Sequence, residues 1–145
     1  MSSDSTLGQK DGLNVVVADE DPVIVGQILA TLRAAGFRAF HAYDGRSAVD
    51  LALELRNIHL LISNTRIADF PGVELIHQLR AERPNLPVIY LANIGRSTPE
   101  IESKLPKGVP ILREPFSPDQ LLKIVNQLLP GHAERRRNPE DATGY

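Results

Sequence analysis

Three consecutive acidic residues, Asp19-Glu20-Asp21, follow directly on the apolar run Val15-Val16-Val17-Ala18. Carboxylates at the end of a strand can hold a hard divalent cation through oxygen, or one can attack an electrophile while a neighbour moves a proton. Three later apolar runs end in different chemistry: Asn64 after Leu60-Leu61-Ile62-Ser63, Ala92 after Pro87-Val88-Ile89-Tyr90-Leu91, and Glu114 shortly after Ile111-Leu112. An amide has the shape of a carboxylate without its anionic nucleophile, and a methyl offers no hydrogen bond. If the runs end along one edge, Asp19, Glu20 and Glu114 repel one another. Either one of them then takes a raised pKa, or a basic side chain fills the space between them.

The elements that must position these residues are legible from the alternation of short β-branched runs with helical spacing. Strands are expected at 15–18, 37–42, 60–63, 87–91 and 111–112. The first helix starts with Asp21 as cap and Pro22 at its first position, carries Ile24, Ile28, Leu29 and Leu32, and stops at Gly36. The second carries Ala48, Leu51, Ala52 and Leu55 after the Asp44-Gly45 turn, and the third carries Val73, Leu75, Ile76 and Leu79 after a loop over 64–71. Pro99, Pro106 and Pro110 leave room only for a short fourth helix over 100–105. Ser117-Pro118-Asp119-Gln120 has the form of a capping box opening a fifth helix that runs to about Leu129. Strict βα alternation predicts an α/β fold, a doubly wound parallel sheet with helices on both faces, whose functional edge lies at the strands' C-terminal ends.

The chain has 145 residues, 42% of them apolar, which predicts one domain over 13–129 flanked by tails over 1–12 and 130–145 that can bury little apolar surface. With 16 basic against 18 acidic residues the formal charge is -2, which excludes a general nucleic-acid or anionic-membrane binder. The Arg135-Arg136-Arg137 run is offset by Glu134, Glu140 and Asp141. The absence of cysteine removes disulfides, thiolate metal sites and thiol nucleophiles, and is easiest to reconcile with a cytoplasmic location. No apolar run is long enough for a membrane span.

Over 13–129 the sequence resembles the receiver domain of bacterial response regulators, the CheY-like superfamily. The segments that carry the likeness are VVVADEDPVI, DGRSAVDLA, LLISNTRIADFPGVELI, PVIYLAN and LREPFSPDQLL. The resemblance implies a flavodoxin-like sheet of order 2-1-3-4-5 and a switch built on a phosphorylated Asp. Carried over by position, Asp19 and Glu20 match the family's Mg²⁺-holding acidic pair. Asn64 stands at the phosphoacceptor, Ala92 at the hydroxyl residue, Glu114 at the Lys, and Ile111 or Leu112 at the strand-five aromatic. The usual Met-Pro after the acceptor reads Ile67-Ala68. These departures predict a degenerate pseudo-receiver that signals without phosphorylation. It would have no resident cofactor and at most a weakly held Mg²⁺ at Asp19 and Glu20, because a neutral amide has replaced one anionic ligand. Arg66 is the expected substitute for the missing Lys, paired with Glu114, while Arg113 alternates to the other face of its strand.

Two other readings remain open in the sequence. One is a conventional phosphorylated receiver. The other is a haloacid dehalogenase-like phosphatase, since VVVADEDPV is similar to that family's strand-end motif, with Asp19 as nucleophile, Asp21 as general acid and Ser63 closing a second strand. That pattern lacks its later Lys and acidic pair and a cap domain to exclude water. A non-enzymatic module is therefore expected. Too few residues follow Leu129 to fold as an output domain, so the implied output runs through surfaces. The family's docking and dimerisation face would present Ile101, Leu105, Gln120 and Lys123 to a signalling partner such as a histidine kinase, an output protein or a second copy.

Overall fold

The computed structural model describes residues 12–55 and 57–129. Strand β1 (Asn14–Ala18) is buried along its whole length, as a strand covered on both faces must be. Helix α1 (Pro22–Ala34) follows, with the Asp21 side chain accepting from the Val23 backbone N–H at 2.9 Å. Strand β2 (Arg38–Ala42) and helix α2 (Gly45–Glu54) come next, with Asp44 accepting from the Ser47 backbone N–H at 2.7 Å. After β3 (Leu60–Asn64) the chain makes a small antiparallel hairpin, β4 (Arg66–Ile67) and β5 (Phe70–Pro71), then enters α3 (Gly72–Glu82). Strand β6 (Val88–Ala92), helix α4 (Pro99–Glu102), strand β7 (Ile111–Arg113) and helix α5 (Pro118–Leu128) complete the unit.

The main sheet has the order β2-β1-β3-β6-β7 with every pair parallel, which is 2-1-3-4-5 when the five principal strands alone are counted. Its faces are apolar on both sides because successive side chains alternate. Val15, Val17, Leu60, Ile62, Ile89 and Leu91 pack against Ile28 and Leu32 of α1 and Leu121 and Val125 of α5. Val16, Leu61, Val88 and Tyr90 pack against Ala48 and Ala52 of α2 and Leu75, Ile76 and Leu79 of α3. Each such buried Leu or Ile contributes about 1.5–3 kcal/mol from burial.

Four expectations are corrected in detail. The loop expected over 64–71 contains the β4–β5 hairpin, turned by Ala68 at φ 57° and lodging the Phe70 ring against α2. A Cβ on Gly45 would lie 2.4 Å from that ring, so the helix starts with the one residue that admits it. The fourth helix is shorter than 100–105: after Ser103 the backbone bonds tighten to Lys104 N to Ile101 O and Leu105 N to Glu102 O, and Pro106 then ends the run. Strands β3 and β6 extend one residue beyond their expected ends, because Asn64 pairs with Leu91 and Ala92 with Arg113. Asn64 and Ala92 consequently sit within the rigid sheet. The tails, with the Arg135-Arg136-Arg137 run, lie outside the described residues apart from Gly12.

Gly72 fixes the approach of α3 to the end of β3. Its N–H donates to the Thr65 carbonyl at 2.9 Å, and a Cβ there would stand 1.7 Å from the Asn64 carbonyl oxygen, a backbone atom that cannot step aside alone. Gly72→Ala is expected to lower unfolding free energy by about 3 kcal/mol in urea titrations; a loss below about 1 kcal/mol would show that the β3–α3 junction yields more easily than this packing allows.

Candidate functional site

The parallel register sets Ala18 beside Ser63, so the next residues, Asp19 and Asn64, emerge side by side at the C-terminal edge. Both are buried, Asp19 completely and Asn64 to within 4% exposure. They satisfy each other: Asn64 Nδ2 donates to Asp19 Oδ2 at 2.8 Å, while Asp19 Oδ1 accepts from the Asp21 backbone N–H at 2.9 Å. The Asn64 Oδ1 accepts from the Thr65 N–H at 2.5 Å. Burial raises the Asp19 pKa, with the hydrogen bonds from Asp21 and Asn64 pulling it back down.

Outside this buried pair lies a cleft of about 130 Å³ lined by Asp19, Glu20, Asp21, Asn64, Arg66, Asn93 and Arg96. The sequence singled out Arg66 as the cation of this edge, paired with Glu114. The structure corrects that pairing. Arg66 lines the cleft, but among the described residues no ion pair joins it to Glu114. The cation that does engage a carboxylate is Arg96, whose Nη1 lies 3.4 Å from Glu20 Oε2. Arg96 reaches back because the chain after β6 turns tightly, with Arg96 and Ser97 N–H groups donating to the Asn93 carbonyl and Gly95 at φ 85°. The Gly at 95 was the available signal for that turn. Side-chain reach across it was not readable from spacing.

Glu114 enters from the residue after β7, its N–H donating to the Ala92 carbonyl at 3.1 Å, and its peptide bond to Pro115 is cis. Its Oε1 accepts from Asn93 Nδ2 at 3.2 Å, and its Oε2 is buried without a hydrogen-bond partner among the described residues. Burial raises its pKa, and the nearby charges of Asp19 and Asp21 raise it further. Ala92 is buried and brings no donor. A hydroxyl stands close by in space, that of Thr65 just after β3, but it donates to the Leu91 carbonyl at 2.8 Å and accepts from the Asn93 N–H at 2.9 Å, tying β3 to the loop after β6. Sequence reading missed Thr65, Asn93 and Arg96. Ser63 is buried and donates to the Gly72 carbonyl at 3.2 Å.

Whether these residues suit a divalent ion is decided by their existing bonds. The Asp19 oxygens are both occupied and hidden from solvent, Asn64 turns its amide N–H toward Asp19, and Glu20 faces a guanidinium. Among the described residues no cluster of three His, Asp or Glu side chains converges to hold a metal. The donor set therefore fits Mg²⁺ poorly.

A polar chain leads from this edge to the surface. The Tyr90 hydroxyl meets Ser97 Oγ at 2.9 Å, Ser97 Oγ donates to Glu102 Oε2 at 2.7 Å, and Arg113 grips both Glu102 oxygens at 3.0 and 2.8 Å. The Arg113 and Ser97 bonds hold the Glu102 pKa below the ordinary range. Arg113 thus serves the α4 side, as alternation along β7 predicts. Ile111 and, from the expected docking face, Ile101 and Leu105 are half-buried against the α2–α3 cluster. Lys123 is exposed, and exposed Gln120 is committed to the cap of α5, its Oε1 accepting from Ser117 N–H at 2.8 Å.

The raised pKa of Glu114 has a definite sign. The fold binds its proton more tightly than the unfolded chain does, so ionised Glu114 costs stability above the raised value, and the cost vanishes below the ordinary 4.5. Glu114→Gln is expected to stabilise the protein near pH 7 by at most about 1 kcal/mol, since solvent screens part of the charge's cost at this partly buried position, with the difference from the natural chain closing as the pH is lowered toward the ordinary carboxylate range. Urea unfolding at several pH values measures this. A variant less stable than the natural chain at neutral pH would contradict the placement of an unpaired carboxylate here.

The family model for the response regulator receiver domain matches residues 15–126. The probable transcriptional regulatory protein TcrX of Mycobacterium tuberculosis is 28% identical over 117 residues, covering 81% of this chain and 50% of that protein. The probable transcriptional regulator ycf29 of Pyropia yezoensis is 29% identical over 117 residues, covering 79% and 52%. The chain therefore spans about half the length of these curated relatives. The crystal structure of a response regulator receiver protein from Sinorhizobium medicae superposes with a TM-score of 0.74 at 25% identity, over 83% of this chain and 96% of that one. With the sheet order, the edge and the family match in agreement, this chain belongs to the response regulator receiver domain family.

Proposed function

We propose that this receiver works as a pseudo-receiver in two-component signalling, recognised by a signalling partner through its surface and not switched by aspartyl phosphorylation. The observation that carries the reading is the state of residue 64: a buried carboxamide with its nitrogen bonded to Asp19 and its oxygen to Thr65. Acyl phosphate formation requires an anionic oxygen free to attack phosphorus, and an engaged amide offers none.

The surroundings support the same reading. Ala92 presents a methyl where a phosphate needs a donor. Glu114 presents a carboxylate where it needs a cation, a repulsion of about 4 kcal/mol for unit charges roughly 4 Å apart at an effective dielectric of about 20. Enzymatic hydrolysis through Asp19 is disfavoured by its complete burial and its two occupied oxygens. The proposed partner is a kinase or output protein of the cytoplasm, or a second copy, met at the α4–β7–α5 face that carries Lys123 and the Arg113–Glu102 pair. Neither nucleic acid nor membrane is part of the proposal. Among the described residues no helix is long and apolar enough to cross a membrane.

Incubation with acetyl phosphate and Mg²⁺ followed by intact-mass measurement tests the reading. The natural chain is expected to keep its mass, and Asn64→Asp alone is expected to accept phosphate poorly, because Ala92 and Glu114 remain. A gain of one phosphoryl group on the natural chain would establish a conventional receiver instead. Turnover of p-nitrophenyl phosphate lost in Asp19→Asn would establish a phosphatase.

A further inference from the structure

A second, larger cleft of about 610 Å³ opens on the other side of Arg66 and Arg96, between the first turns of α3 and the α4 segment. Its volume falls within the roughly 300–1,000 Å³ of small-molecule sites. Pro71, Val73 and Ile101 give it apolar walls, and Thr65 lies at its base. One end is fixed, since His77 Nε2 on α3 donates to the Lys104 carbonyl beyond α4 at 2.7 Å.

The charges facing this space are unbalanced. Arg66, Arg96 and Lys104 line it against a single carboxylate, Glu74. Among the described residues neither Arg66 nor Lys104 is in an ion pair, and Arg96 reaches Glu20 only at 3.4 Å. Guanidinium groups are planar forks suited to two-point contact with a phosphate or carboxylate. Apolar walls beside them suit a flat or aliphatic body that leaves water as the head group binds.

We infer that the α3–α4 cleft binds a small anionic molecule with an apolar body, its phosphate or carboxylate held by Arg66 and Arg96. Both arginines also line the acidic cleft at the sheet edge, so an occupant competes with Glu20 for Arg96 and its presence is felt there. This goes beyond the pseudo-receiver reading and does not depend on it, because the cleft contains none of the positions at which phosphate would be transferred.

Amide NMR titration of the full chain tests the site with four probes: 1-naphthyl phosphate, 1-naphthoate, inorganic phosphate and 1-naphthol. One of the two anionic naphthyl compounds is expected to give saturable shifts at Val73, Ile101, Lys104 and Glu20, and whichever binds identifies the head group. Arg66→Ala and Arg96→Ala, both at exposed positions, are each expected to weaken that binding about tenfold, while Arg46→Ala on α2 leaves it unchanged. The inference is overturned by the absence of saturable shifts below about 1 mM, by equal binding of 1-naphthol, or by unchanged affinity in both cleft variants.

Discussion

The arrangement at the sheet edge rests on one buried contact, the amide of Asn64 against the carboxylate of Asp19. Parallel pairing of β1 with β3 forces these residues together, and burial forbids either from being left unsatisfied. Two carboxylates in this position would need a cation between them or a shared proton. A carboxamide removes that need, since its N–H supplies the positive end of the bond from within the chain. The Asp19–Asn64 pair is thereby hydrogen-bonded from within the chain. The remaining acidic groups are handled piecemeal, Glu20 by Arg96 and Glu114 in part by Asn93.

Rigidity follows from how the neighbouring backbone is tied to this pair. Gly72 presses α3 against the Asn64 carbonyl, and the Thr65 hydroxyl spans to Leu91 and Asn93. From that loop the Tyr90–Ser97–Glu102–Arg113 chain runs to α4 and β7. The edge is thus bonded to both of its neighbours. In the proposed pseudo-receiver this edge would serve a partner as a fixed surface, and the open cleft beside Arg66 and Arg96 is where the inferred small ligand would act on it.

Much of this was legible in the residues. Fully apolar runs identified strands covered on both faces, and Asp21, Asp44 and Ser117 announced their helices, because these signals depend on local geometry alone. The strand order came from the family resemblance. The acidic pair, Asn64, Ala92 and Glu114 lie at the C-terminal ends of parallel strands, and the topology of parallel sheets puts such positions at one edge. What could not be read was which cation answers which carboxylate. Arg66 and Arg96 are both exposed loop residues near the edge, and the choice between them is made by a tight turn at Gly95 and a hairpin turned on Ala68. The β4–β5 hairpin escaped notice for a related reason: two-residue strands carry no alternation long enough to detect.

The most direct test of the proposed pseudo-receiver is the amide NMR spectrum recorded with Mg²⁺ and beryllofluoride, which mimics the phosphoryl group on an acceptor carboxylate. The account predicts a spectrum unchanged at Asp19, Asn64, Ala92 and Glu114. Saturable shifts spreading from those residues to α4 and β7 would contradict it.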